Sequence, residues 1–194
     1  MTAPASRDAA HFKQLYAANP DPWQFRSSAY EQAKYRRTVA SLDGRRFRSG
    51  LEVGCSIGVL TQMLAPTCDA LLAVDIVEAP LVAARAACAS QPWVRFARMQ
   101  VPSEWPPGRF DLIVLSEVLY FLTPEDIGRV ADRVEASLDP AGVVLLVNWR
   151  GRSGDPCTGD EAAEIFRERS RQWLVPTRHY QEAAYRLDLL RRDA

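Results

Sequence analysis

Short apolar runs alternate along the chain with longer segments whose apolar residues recur every three or four positions. That is the pattern of strands separated by crossover helices in a mostly parallel sheet. The runs predict strands at Leu51–Val53, Leu71–Asp75, Val94–Ala97, Asp111–Leu115 and Val143–Asn148, with helices over 57–65, 80–90 and 124–138 between them. Thr123 before Pro124 and Glu125 is an N-cap followed by proline at the first helical position, while Asp139, Pro140, Ala141 and Gly142 read as a stop followed by a turn.

The pattern weakens at both ends. About fifty residues precede the first strand; Ala29–Leu42 reads as a helix, and Asn19, Pro20, Asp21 and Pro22 form a loop in which neither proline can continue a helix. After the fifth strand comes a Gly/Ser/Pro loop from Gly151 to Gly159, then a helix from about Asp160, and Tyr185–Arg192 is suited to pair as a final strand. The expected architecture is a single α/β domain of Rossmann-like type: a mostly parallel twisted sheet with helices on both faces. Residues 1–48 form a helical cap or lid, 49–150 the core, and 151–194 a C-terminal segment. There is no internal repeat and no low-complexity tract.

Composition agrees with one core. The chain has 194 residues, 47% hydrophobic and 25% charged, enough for one sizeable domain and short for two. No apolar run approaches the roughly 20 residues that cross a bilayer, and the first sixteen residues are polar where a signal peptide needs an apolar stretch. The expectation is a cytoplasmic protein that neither spans a membrane nor is secreted. The 24 basic residues balance the 24 acidic ones, so no global field recruits nucleic acid or an anionic membrane. Charge is unevenly spread: residues 1–50 carry nine basic and four acidic side chains, whereas 51–150 carry seven and twelve. The first segment is therefore suited to dock on the second. Cys55, Cys68, Cys88 and Cys157 show neither a C-x-x-C pair nor zinc spacing, which reads as reduced thiols.

The strongest local signal is LEVGCSIGVLTQML, residues 51–64, where an apolar strand runs into Gly54, Cys55, Ser56, Ile57 and Gly58 and then a helix. Glycines let the backbone turn tightly and approach a ligand, and a helix N-terminus presents unpaired N–H groups. Twenty-one residues after Gly54, Asp75 closes the strand LLAVD, where its carboxylate is placed to accept both hydroxyls of a ribose. Either feature alone is ordinary, since glycines end many strands and a terminal Asp often caps the next helix. Together they point to a nucleoside ligand. The spacing is G-x-x-x-G with Ser56 in the middle, not the G-x-G-x-x-G of pyrophosphate-binding folds, which disfavours a dinucleotide oxidoreductase.

A glycine turn with an acid, Glu52, inside the preceding strand resembles the first motif of class I S-adenosylmethionine-dependent methyltransferases. Four stretches narrow the resemblance to the NodS-like N-methyltransferases that modify the amino sugar of nodulation oligosaccharides. They are DPWQFRSSAYEQAKYRRT (21–38), GLEVGCSIGVLTQMLAPTC (50–68), LLAVDIVEAPL (71–81) and FDLIVLSEVLYFL (110–122). The likeness covers roughly residues 15–145. Two positions depart from it. Gln100 stands where many relatives have an acid for the adenine amino group, although an amide oxygen still accepts that bond. The segment after Asn148, which in this fold helps build the acceptor site, is not close to the nodulation enzymes, so the acceptor is open to difference.

The resemblance implies that Gly54, Cys55, Ser56 and Gly58 line the methionine part of the cofactor. Asp75 would take the ribose, Ile76 and Val101 the faces of the adenine, and Gln100 its edge. Trp23, Tyr30, Lys34 and Tyr35 are candidates for a lid, because aromatic faces accommodate a sulfonium, and Lys34 or Arg36 is suited to the methionine carboxylate. An equal alternative is that Tyr30 and Lys34, at i, i+4, belong to an ordinary helix face docked on the sheet.

Methyl transfer asks mainly for alignment and exclusion of water, plus a group that takes the proton of an amine acceptor. Glu117, after the fourth strand, stands where open α/β sheets bind ligands, and Tyr120 shares that rim. Glu117 as a local cap and Tyr120 as core are the structural alternatives. His179 is a second-rank base. No His/Asp/Glu cluster has metal spacing, and no G-x-S-x-G elbow or Cys/His pair supports a hydrolase. The expected activity is transfer of a methyl group from S-adenosylmethionine, leaving S-adenosylhomocysteine, to a small amino-bearing and sugar-like acceptor. O-methylation of a hydroxylated metabolite and a non-catalytic adenosyl-ligand-binding regulator are the alternatives.

Overall fold

A computed structural model describes residues 5–193. The chain divides into two compact units, residues 8–100 and residues 5–7 with 101–193.

The first unit begins with α1 (Ala9–Ala18) and α2 (Ala29–Ala40), followed by β1 (Gly50–Val53), α3 (Val59–Leu64), β2 (Leu71–Asp75), α4 (Glu78–Ala87) and β3 (Val94–Arg98). The strands are parallel and ordered β3-β2-β1, with Leu51 opposite Leu72 and Ala73 opposite Phe96. Parallel neighbours need a crossover, and α3 and α4 supply it. All four residues of β1 and four of the five in β2 are buried. That burial explains why both read as continuous apolar runs rather than alternating ones.

In the second unit β4 (Phe110–Ser116) leads through a short 3-10 turn (Leu119–Phe121) to α5 (Pro124–Ser137) and β5 (Leu138–Trp149). Then come α6 (Gly159–Ser170), β6 (Leu174–Gln181) and β7 (Tyr185–Arg192). The strand order here is β4-β5-β7-β6; β4 and β5 are parallel, and β7 is antiparallel to both of its neighbours. α5 starts as its sequence predicts, Thr123 accepting the Asp126 N–H with Pro124 in the first turn. It buries Ile127, Val130, Ala131 and Val134, an i, i+3, i+4, i+7 stripe. Each of its fully buried aliphatic side chains contributes about 1.5–3 kcal/mol. α6 opens on a reciprocal cap, in which Thr158 accepts the Glu161 N–H and the Glu161 carboxylate accepts the Thr158 N–H.

Three expectations change. α1 lies in the expected cap, where only Ala29–Leu42 was read as a helix: Asp8 caps it by accepting the His11 N–H, and Phe12 and Tyr16, four apart, are its buried residues. β6 was not expected because Pro176 interrupts it. It is the outermost strand of its unit, where a proline costs no ladder bond, and the register shifts between Pro176 and Arg178. The predicted turn at Asp139–Gly142 is instead a bulge inside β5. Phe110 pairs with Leu138 and Leu112 with Val143, so Asp139, Pro140, Ala141 and Gly142 stand opposite Asp111 alone, three residues more on the β5 side. All four cysteines are buried and free. Among the described residues no helix is long and apolar enough to cross a membrane.

Candidate functional site

In the first unit the chain leaves β1 at Val53 and turns through Gly54, Cys55, Ser56 and Ile57 to Gly58, which caps α3. Gly54 and Gly58 both have φ +80, and Ser56 is at φ +50, the left-handed region that a residue with a Cβ seldom adopts. The turn is pinned from below, since the Gly54 and Cys55 N–H groups both donate to the Val74 carbonyl, at 2.8 and 3.0 Å. Gly58 has a second role: a Cβ there would lie 2.8 Å from the Ala84 Cβ, so its absence lets α3 approach α4.

Asp75 and the turn are bonded together. One carboxylate oxygen, Oδ2, accepts the Ser56 N–H at 2.9 Å, and the other, Oδ1, accepts the Val77 N–H at 3.0 Å. Burial nevertheless raises the Asp75 pKa to about 6, the backbone donors opposing it. Glu52, inside β1, is raised to about 7, chiefly by burial, with the Thr61 hydroxyl opposing and Asp75 adding to the rise. Burial also pushes the Cys55 thiol up.

Sequence reasoning missed Tyr16. Its hydroxyl lies 2.6 Å from Ser56 Oγ, and burial, reinforced by the charge of Asp75, raises its pKa well above the usual phenol range. The only signal was the Asp8 cap followed by apolar residues at 12 and 16. Tyr16 meets Trp23 edge-on at 5.8 Å between ring centroids; Trp23 stacks on Phe25 at 5.4 Å, and Phe25 lies 6.0 Å from Tyr35.

The expected lid residues divide. Lys34 is almost wholly buried, with its Nζ 2.8 Å from Glu31 Oε2 and 5.1 and 5.7 Å from the ring centroids of Tyr30 and Tyr35. It thus already has a carboxylate partner on its own helix. Tyr35 is buried, Trp23 half-buried, and Tyr30 and Arg36 exposed. Ile76 and Gln100 are half-buried near the ends of β2 and β3.

In the second unit, Val101 is half-buried. Glu117 stands just past β4 with φ +57. Its N–H donates to the Val147 carbonyl at 2.8 Å, and its Oε2 accepts the Trp149 N–H at 2.8 Å, so it clips the end of β4 to that of β5. Tyr120 is buried, and its carbonyl accepts the Cys157 N–H at 3.3 Å. His179 lies on β6, with Nδ1 2.8 Å from Oδ1 of the buried Asp188. Asp188 also receives two bonds from Arg186, at 2.8 and 3.0 Å. No group of three or more potential metal ligands occurs among the described residues.

The family model for nodulation protein S (NodS) matches residues 8–140. Nodulation protein S of Bradyrhizobium diazoefficiens is 36% identical over 104 residues, 53% of this chain and 49% of that protein. The Sinorhizobium fredii protein is 31% identical over 140 residues, 70% and 64% of the two. The chain thus spans about half to under two-thirds of the length of these curated relatives. The crystal structure of the N-methyltransferase NodS from Bradyrhizobium japonicum WM9 with S-adenosylhomocysteine superimposes with a TM-score of 0.85. It is 23% identical and covers 97% of this chain and 100% of that one. That likeness shows the fold, which is Rossmann-like.

Proposed function

The chain belongs to the nodulation protein S family, and from that premise and the geometry above we propose that it is an S-adenosylmethionine-dependent N-methyltransferase. Its acceptor would be a small amine-bearing molecule of amino-sugar or oligosaccharide type. The observation that carries the reading is Asp75, a buried carboxylate at the end of β2, bonded to the left-handed turn that follows β1. Its two oxygens accept the backbone N–H groups of Ser56 and Val77, one each, with the Ile76 N–H also acting on the carboxylate. Acceptor capacity remains on the carboxylate for the hydroxyls of a ribose, so the residues present fit this cofactor.

The bound cofactor supplies a methyl group already activated on a sulfonium. What the chain does is bind, orient and exclude water. Asp75 fixes the ribose, the Gly54–Gly58 turn takes the methionine part, and Ile76 and Gln100 take the adenine. The Trp23, Tyr30 and Tyr35 rings serve the lid, residues 1–48, and Lys34, held by Glu31, completes that surface rather than meeting the methionine carboxylate. Glu117, clipped to Trp149 and held at a positive φ, is the residue we assign to the acceptor amine, with Tyr120 beside it in sequence and His179 in reserve. We take the whole chain as one methyltransferase domain working in the cytoplasm, where its four free thiols stay reduced.

The test is incubation with labelled S-adenosylmethionine and a panel of amino sugars, deacetylated chitooligosaccharides and phenols. Label on an amine supports the reading, label on a phenol or sugar hydroxyl replaces it with O-methylation, and cofactor binding without turnover on any acceptor replaces it with a regulatory role.

A further inference from the structure

We propose that Tyr16 is a positioning residue for the amino-acid end of the cofactor: its hydroxyl holds that of Ser56, so that the Ser56 O–H donates to the cofactor's carboxylate. This rests on the cofactor reading above. Ser56 is fixed on two sides. Its N–H is committed to Asp75 and its Oγ to Tyr16, at 2.9 and 2.6 Å. Its φ of +50 is a conformation that a non-glycine residue keeps only where the surroundings impose it.

Tyr16 stays neutral because its burial, reinforced by the charge of Asp75, opposes ionisation, so its proton is available to donate. A hydroxyl has one hydrogen and two lone pairs. With Tyr16 donating to Ser56 Oγ, the Ser56 hydrogen is left for a second acceptor. The ribose end is already served by Asp75, an acceptor suited to hydroxyl donors. At the amino-acid end of the cofactor the acceptor-only group is the carboxylate, which is what a spare donor on the turn complements. Of the two other candidates for that carboxylate, Lys34 is engaged by Glu31 and Arg36 is exposed.

The experiment compares calorimetric Kd values for S-adenosylhomocysteine and methylthioadenosine, which shares the adenine and ribose but lacks the carboxylate. Tyr16→Phe, which keeps the ring against Trp23, should weaken S-adenosylhomocysteine about three- to tenfold and leave methylthioadenosine within about twofold. Ser56→Ala should show the same selective loss, and the double variant no further loss than Ser56→Ala alone. Equal losses for both ligands would mean that Tyr16 only packs α1, and additive or absent losses would also overturn the assignment. Wild-type protein that binds neither nucleoside sinks the cofactor reading and this inference with it, whereas normal wild-type binding with equal losses sinks this inference alone.

Discussion

Replacing Asp75 by alanine removes the acceptor on which the cofactor reading depends, and the structure sets the size of the effect. The carboxylate accepts the Ser56 and Val77 N–H groups, one on each oxygen, and keeps acceptor capacity for the ribose. Two charge-assisted bonds to ribose hydroxyls at roughly 1.5–3 kcal/mol each predict at least a tenfold loss of affinity, and about a hundredfold if both contribute their lower value. Calorimetry with S-adenosylhomocysteine at pH 7.5, on variant protein shown to be folded by circular dichroism, is the assay. Unchanged affinity would remove Asp75 from the site.

The pH dependence supplies an independent arm. With a pKa of about 6, Asp75 is roughly nine-tenths ionised at pH 7 and about one-tenth at pH 5, so wild-type Kd should rise about tenfold between them. The slope should vanish in Asp75→Ala. Fold stability runs the other way in cofactor-free protein. The folded-state pKa is above the ordinary carboxylate value of 3.8, so the folded state holds the proton longer and loses stability as pH rises from about 4 to 6. The loss is on the order of 3 kcal/mol from this group. Melting temperatures measured across that range should fall with pH in wild type and fall less in the variant.

Gly58→Ala adds a Cβ 2.8 Å from Ala84 Cβ at a φ of +80; it should cost about 2 kcal/mol or more and lower Tm by about 4–8 °C, and an unchanged melt would show that α3 and α4 can part. Glu117→Gln keeps an oxygen for the Trp149 N–H, so cofactor affinity should hold while turnover falls by about 10² to 10⁴ if the carboxylate is the base. An unchanged rate would leave it a clip between β4 and β5. Hydrogen exchange should show greater protection over residues 23–35 when S-adenosylhomocysteine is added, and equal protection without it would make that segment a fixed structural element.

β2 was legible because four of its five residues are buried, and it runs from Leu71 to Asp75 as its apolar run predicts; β7 runs from Tyr185 to Arg192, the bounds expected of the final strand. α5 shows both its cap and its stripe. Where tertiary context decides, the sequence said less. β6 is polar and proline-containing because it is the outermost strand of its unit. Pro140 belongs to a bulge that local turn chemistry cannot distinguish from a helix stop. In the cradle, the strand, the turn and Asp75 were legible because they are contiguous or end a strand. Tyr16 was not, since its partner Ser56 is forty positions away and nothing local marks the contact. The Lys34–Glu31 pair was visible only as an i, i+3 spacing. That spacing does not reveal that the lysine is buried and that its charge is spent on its own helix.

Two buried acids in one unit need a reason to differ, and their partners give one. Asp75 is opposed in its rise by three backbone N–H groups, those of Val77, Ser56 and Ile76, whereas Glu52 is opposed only by the Thr61 hydroxyl and is pushed further by Asp75. Their pKa values therefore separate to about 6 and about 7, and the charge settles on Asp75, at the end of the strand where a ligand can meet it. Glu52, the weaker acid, keeps its proton while Asp75 ionises, and the charge then on Asp75 holds the Glu52 proton more firmly. Glu52→Gln fixes the uncharged form. Affinity for S-adenosylhomocysteine at pH 7 should stay within about twofold, and the midpoint of its pH dependence should stay at the wild-type value of about 6, because Asp75 ionises beside an uncharged Glu52 in both proteins. A midpoint that falls in the variant would mean that Glu52 already carries charge while Asp75 titrates, and the order of the two ionisations would be reversed.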